Sequence, residues 1–210
     1  MFDRLSHSAI ACLIVVMAAL SLVANPAYAQ TSPEALVRDL SSKVIEAVKN
    51  DSSPQQSGVS HLVEQVEATV MPAIDFQTVT RSAVGPRWRE ATTEQRQRLQ
   101  EEFKTLLTTF YAGGIRQIGD YAVEVTETVP VPNRATQVIV RSRVAGAGQT
   151  HQLDYRLDKA GEDWKIVDLS LDGIWVTLSY RSQFAEHLAK GGIDGLIEAL
   201  AAQNRKGRRS

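Results

Sequence analysis

Three carboxylates, Asp154, Asp168 and Asp172, are spread over the last strands of the chain, with Tyr155 beside the first of them. A carboxyl and a phenol in one pocket can pass a proton back and forth. Asp168 or Asp154 with Tyr155 would therefore suit an isomerase or hydratase as acid and base. Strict alternation along Trp164–Leu171 sends Trp164, Ile166, Asp168 and Ser170 to one face and Val167, Leu169 and Leu171 to the other. Burial beside Trp164 and Ile166 would raise the pKa of Asp168. The plainer reading is an acid at a strand end or a helix cap. His61, His151 and His187 have no metal-ligand spacing among them and read as surface or capping residues. Gly146-x-Gly148 precedes a strand and so reads as a turn, not a phosphate cradle. The chain carries no GxSxG, HExxH or P-loop pattern, and nothing assembles a nucleophile, a base and an orienting group. The residues therefore name no catalytic group, no metal site and no cofactor.

The elements that would position these groups begin after a leader. A short polar segment, Met1–Ser8, precedes an apolar run from Ala9 to about Ala24, and Ala27-Tyr28-Ala29 has the small-x-small pattern of signal cleavage. The run is shorter than the ~20 residues a membrane span needs. The expected product is an exported protein beginning at Gln30. The single cysteine, Cys12, leaves with the leader, so no disulfide can support the fold. A formal net charge of −1 is no electrostatic footprint for nucleic acid. Residues 30–204 are expected to form one domain, mainly helical over 30–119 and sheet plus C-terminal helices over 120–204. The basic tail, 205–210, reads as a solvated end able to brush anionic headgroups.

Ser32 with Pro33 starts a helix whose apolar stripe is Leu36, Val37, Leu40, Val44, Ile45 and Val48. Residues 50–58 are a loop by composition. Leu62, Val63, Val66 and Val70 mark a second helix ending near Pro72, and Asp75 can cap a third. Thr92 and Gln95 have capping-box spacing ahead of a long helix with Leu99, Phe103, Leu106, Leu107, Phe110 and Tyr111 on one face. Past Gly119 the period becomes two, giving four strands joined by short turns and ending in the Trp164 strand. Asp172-Gly173 then leads into a long helix, stopped at Lys190-Gly191-Gly192 and followed by a closing helix from Ile193 to Ala202. The fold class is α+β: a four-stranded antiparallel meander with amphipathic helices on one face, around either an ordinary core or a lined apolar cavity between sheet and helices.

Several short motifs come in one order: Gly85-Pro86-Arg87-Trp88, Thr92-Thr93-Glu94-Gln95-Arg96 leading into Phe103, Trp164-Lys165-Ile166-Val167-Asp168, Asp172-Gly173-Ile174, Tyr180-Arg181-Ser182-Gln183-Phe184 and Gly191-Gly192-Ile193-Asp194-Gly195-Leu196-Ile197. Over residues 33–202 this series resembles the periplasmic phospholipid-binding proteins of the Mla (toluene-tolerance) lipid-transport family. The resemblance implies a cone-like α+β body enclosing a deep apolar pocket, in a periplasmic carrier that holds phospholipid acyl chains, with a hopanoid-type lipid as the minority option. Its implied partners are an outer-membrane lipoprotein complex and an inner-membrane ABC transporter with its lipid-binding ring protein, in the service of outer-membrane lipid asymmetry. The expected pocket wall is Phe103, Leu107, Tyr111, Val138, Val140, Leu153, Tyr155, Leu169, Ile174 and Leu178. Trp175 stands where the family commonly has a small residue and would narrow the pocket if it borders it. Arg81, Arg87 and Arg181 are the headgroup candidates, since an arginine at the mouth can pair with a phosphate. Two rivals stay open at this point: the Asp168/Tyr155 enzyme, and a ligand-free docking protein of the envelope.

Overall fold

The computed structural model describes residues 31–50, 64–65, 67–115, 121–146 and 148–207, without the side chains of 110–115. The expected leader and its cleavage site, the 51–58 loop, Leu62, Val63 and Val66, and the last three residues lie outside that set. Helix α1 (Pro33–Asn50) is followed by a helical stretch over 67–70 and a 3-10 turn, Met71–Ala73. Next come α2 (Phe76–Val84), a 3-10 turn (Gly85–Glu90) and α3 (Thr93–Ile115). The sheet is β1 (Ala122–Val131), β2 (Arg134–Gly146), β3 (Gln149–Ala160), β4 (Asp163–Leu171) and β5 (Ile174–Trp175), and α4 (Val176–Gly207) closes the chain. Among the described residues no helix is long and apolar enough to cross a membrane.

The helix starts follow from side chains that take up free backbone N–H groups. Ser32 Oγ accepts from the Ala35 amide (3.2 Å), and Asp75 Oδ1 from the Thr78 amide (2.9 Å). The Thr92–Gln95 box is reciprocal. The Thr92 amide donates to Gln95 Oε1 (2.9 Å) and the Gln95 amide to Thr92 Oγ1 (3.2 Å).

The strands lie in sequence order, each antiparallel to the next, so the sheet is an open meander. It has a fifth member that the sequence reading lacks. Asp172 (φ 49) and Gly173 (φ 86) both take left-handed backbone, as a tight two-residue hairpin requires, and fold Ile174-Trp175 back against Leu171 and Ser170 before α4 begins.

A second departure is a bulge. Arg156 pairs with Asp168 but Leu157 pairs with Ile166, so Val167 is an extra residue in β4. The bulge shifts the alternation by one position. Trp164 and Ile166 join Tyr155, Leu157 and Leu169 on the face packed by α1, while Asp168 and Ser170 turn to the opposite face. The expected sharing of a face by Asp168, Trp164 and Ile166 is therefore corrected.

Two apolar cores result. One packs Val37 and Leu40 of α1 on Val125, Val140, Leu157 and Ile166 of the sheet. The other is helical and centres on Leu99, Phe103, Phe184, Leu196 and Leu200. Ile74 packs against both, and the Asp75 amide donates to the Ile166 carbonyl (3.0 Å), which ties the helical layer to β4.

Candidate functional site

Helix α4 is two helical arms joined at a kink, not one straight rod. Gly192 sits at φ 62, ψ −155, a left-handed conformation that glycine adopts without a Cβ penalty, and it divides the helix into two arms. The second arm runs parallel to α3: Gln95 Nε2 donates to Asp194 (2.8 Å), Asn204 Nδ2 donates to the Glu102 carbonyl (2.9 Å), and a Cβ at Gly207 would stand 3.0 Å from the Thr109 methyl. The first arm crosses the same level of α3, where Phe103 meets Tyr180 and Phe184 with ring centroids 4.9 and 5.2 Å apart.

Between the two arms, Leu106 of α3 and the β4–β5 hairpin lies a groove of about 700 Å³. Its floor is apolar: Leu106, Tyr180, Phe184, Leu196 and Leu200. Leu171, Ile174 and Val176 line the end where the hairpin feeds α4. Ile174 is 68% exposed and Leu171 49%, so this end presents bare apolar surface; Leu178, expected in the pocket wall, is 58% exposed and is not among the residues that line the groove. The polar members are Ser179, Gln183, His187, Gln203 and Lys206, and among the described residues no carboxylate lines the groove. Val176 to His187 spans eleven residues of helix, about 16 Å at the helical rise.

The residues expected to line a pocket are spread over the molecule. Ile174 lines the groove. Phe103 and Val140 have no exposed surface and belong to the helical and sheet cores respectively. Leu107 packs against the helical core, and Val138, Tyr155 and Leu169 against the sheet core. Leu153 is half-buried on the strand face it shares with Tyr155. Tyr111 is in α3, with its side chain outside the described set. Trp175 pairs with Ser170 on the far face of the sheet, where the Arg156 guanidinium lies 4.1 Å from its ring centroid.

The three arginines bind within the fold. Arg81 Nη2 donates to Thr78 Oγ1 (3.0 Å), Arg87 pairs with Glu90 (2.8 Å), and Arg181 Nε and Nη2 both donate to the Ser82 carbonyl (2.9 and 2.6 Å).

The acid–base pair does not assemble. Tyr155 faces the α1 core, where burial pushes its phenol pKa up against a smaller opposing hydrogen bond with Ser41. Asp168 faces the other way. It accepts from the Thr177 amide (3.1 Å), the Thr177 hydroxyl (2.6 Å) and the Leu169 amide (3.0 Å), with Arg156 Nη1 at 3.6 Å. Its carboxylate holds the start of α4. Asp154 is buried on that same far face, where Gln152 donates to it (2.8 Å). Asp172 is tied to the hairpin: His151 Nδ1 lies 2.8 Å away and the Gln152 amide donates to it at 2.9 Å, and these hold its carboxyl below the usual range.

Sequence reasoning missed Tyr180, Phe184, Leu196, Leu200 and Lys206. Its available signal was a pair of apolar stripes, 180/184 and 196/200, on either side of Gly191-Gly192. Two stripes flanking a glycine pair are what a helical elbow with a lined inside would show.

The family model described as MlaC protein matches residues 38–202. The chain is 23% identical over 201 residues to toluene tolerance protein ttg2D of Pseudomonas putida, covering 94% of this chain and 92% of that protein. It is 22% identical over 183 residues to the intermembrane phospholipid transport system binding protein MlaC of Haemophilus influenzae, covering 85% of each. A solved phospholipid-binding protein from Ralstonia solanacearum, determined in complex with a phospholipid, superposes with a TM-score of 0.76 at 31% identity, covering 83% of this chain and 97% of that one.

Proposed function

This chain belongs to the MlaC family, and from that premise we propose that it is an exported, periplasmic phospholipid carrier whose acyl-chain site is the groove along α4. The observation that carries the reading is the groove itself, about 700 Å³ with an apolar floor and an exposed apolar end. Its size is that of a ligand cleft.

Burying a methylene is worth about 0.8 kcal/mol, so a 16-carbon tail is worth roughly 12 kcal/mol gross. Two tails would give about 25 kcal/mol, beyond the ~20 kcal/mol at which affinities saturate. A lipid held even in part that strongly leaves for another apolar path and not for water. Release then calls for a docked partner. The proposed partners are an outer-membrane lipoprotein complex on one side and an inner-membrane ABC transporter with its lipid-binding ring on the other. The transporter's ATP supplies the work, because this chain has no nucleotide motif. Leu171 and Ile174 would form the apolar lip across which the chain passes.

Loading from vesicles tests the reading. The protein is mixed with phosphatidylethanolamine/phosphatidylglycerol vesicles, re-isolated by gel filtration and extracted. Bound phospholipid in near-stoichiometric amount is expected. Protein that returns free of lipid from both vesicle and cell would overturn the proposal.

A further inference from the structure

We infer that Lys206 is the headgroup site of the groove, and that through it the protein selects phospholipids whose headgroup carries a net negative charge. The inference rests on the carrier reading above, since a headgroup has a place only when its acyl chain is in the groove.

The position comes from the levels of the helices. Asn204 reaches Glu102, the neighbour of Phe103, and Phe103 meets Tyr180 and Phe184, so these groups share one level of α3. The second arm of α4 starts near Gln95 and passes this level toward Thr109. Lys206 is therefore beyond it, on the side of Leu171, Ile174 and Val176. His187 lies on the other side, toward the Gly192 elbow. The groove thus has its lysine at the end with the exposed apolar lip. An amphiphile entering there sets its tail along Tyr180, Phe184, Leu196 and Leu200 and leaves its phosphate beside the ammonium. The lysine stem can lie on apolar wall while its charge stays in water.

The selectivity comes from what else lines the groove. Two cations on the first arm of α4 are engaged elsewhere: Arg181 with the Ser82 carbonyl and Lys190 with Glu186. Among the described residues no ion pair holds Lys206; Glu102 of α3 accepts from Asn204 Nδ2 (2.7 Å), and Asp172, in the hairpin at the lip, is held by His151 and the Gln152 amide. A phosphate therefore meets an unneutralised ammonium. A zwitterionic headgroup brings its own cation, and the lining offers that cation no carboxylate. Ser179, Gln183 and Gln203 supply hydroxyl and amide groups, which suit glycerol-type hydroxyls.

The test uses the full mature protein and vesicles with equal phosphatidylglycerol and phosphatidylethanolamine of the same acyl chains, with bound lipids counted by mass spectrometry. The wild type should enrich phosphatidylglycerol roughly five-fold at low salt, the size of one lysine's attraction to an anionic headgroup, and less at high salt. Lys206→Gln should lose the enrichment, and Lys206→Arg should keep it. Equal uptake of the two lipids by the wild type, or enrichment that survives in Lys206→Gln, would overturn the inference and leave the carrier reading standing. No uptake of either lipid would overturn both.

Discussion

Asp172 shows what a single side chain does at the edge of this site. It occupies left-handed backbone in the β4–β5 hairpin, and its two oxygens are held by the His151 ring and the Gln152 amide. These contacts favour the ionised form, so its folded pKa lies below the unfolded value near 3.9. The sign follows by linkage: the stabilisation is present above that value and is lost as pH falls through the lower folded one. Asn tolerates the same backbone and carries no charge. Asp172→Asn should therefore lower the urea midpoint at pH 7, by a small amount because the pair is exposed, and match the wild type once the pH has fallen below the lowered folded pKa. A difference between the two proteins that is the same at every pH would show that charge is not what His151 and Gln152 hold. The residue's type and its glycine neighbour were legible as a turn. Its partners were not, because His151 is brought to it by strand register.

Among the elements, β4 and α4 depend on each other through the Val167 bulge. The extra residue turns Asp168 away from the apolar core and toward Thr177, where it accepts two hydrogen bonds at the start of α4. Asp168→Ala would leave those donors and Arg156 without their acceptor in a buried place, costing about 3 kcal/mol of unfolding free energy by urea titration. Lipid bound per folded protein should not change, because Asp168 faces away from the groove. Loss of lipid from protein that is still folded would instead assign Asp168 a part in binding.

Helices, capping residues and the meander were readable from periodicity and from Ser32, Asp75, Thr92 and Gln95, since those signals are local. A bulge is not local. Val167 reads as one more alternating residue until Leu157 and Ile166 are seen to pair. The two-residue strand Ile174-Trp175 is likewise too short to show a period. The groove was hidden for a related reason: Tyr180, Phe184, Leu196 and Leu200 look like ordinary core stripes, and only the elbow at Gly192 sets them against each other.

At the scale of the whole molecule, two packed cores meet at Ile74, and the groove opens beside the helical one between the arms of α4. The account places the acyl chain there. The most direct measurement is native mass spectrometry of the protein purified from the periplasm, alongside Ala199→Trp, which puts an indole into the groove from its wall. The wild type should carry a mass increment equal to a phospholipid. Ala199→Trp should have the wild-type circular dichroism and run at the bare protein mass. The same increment in both would contradict the groove as the site. A bare wild type that also takes no lipid from vesicles would contradict the carrier itself.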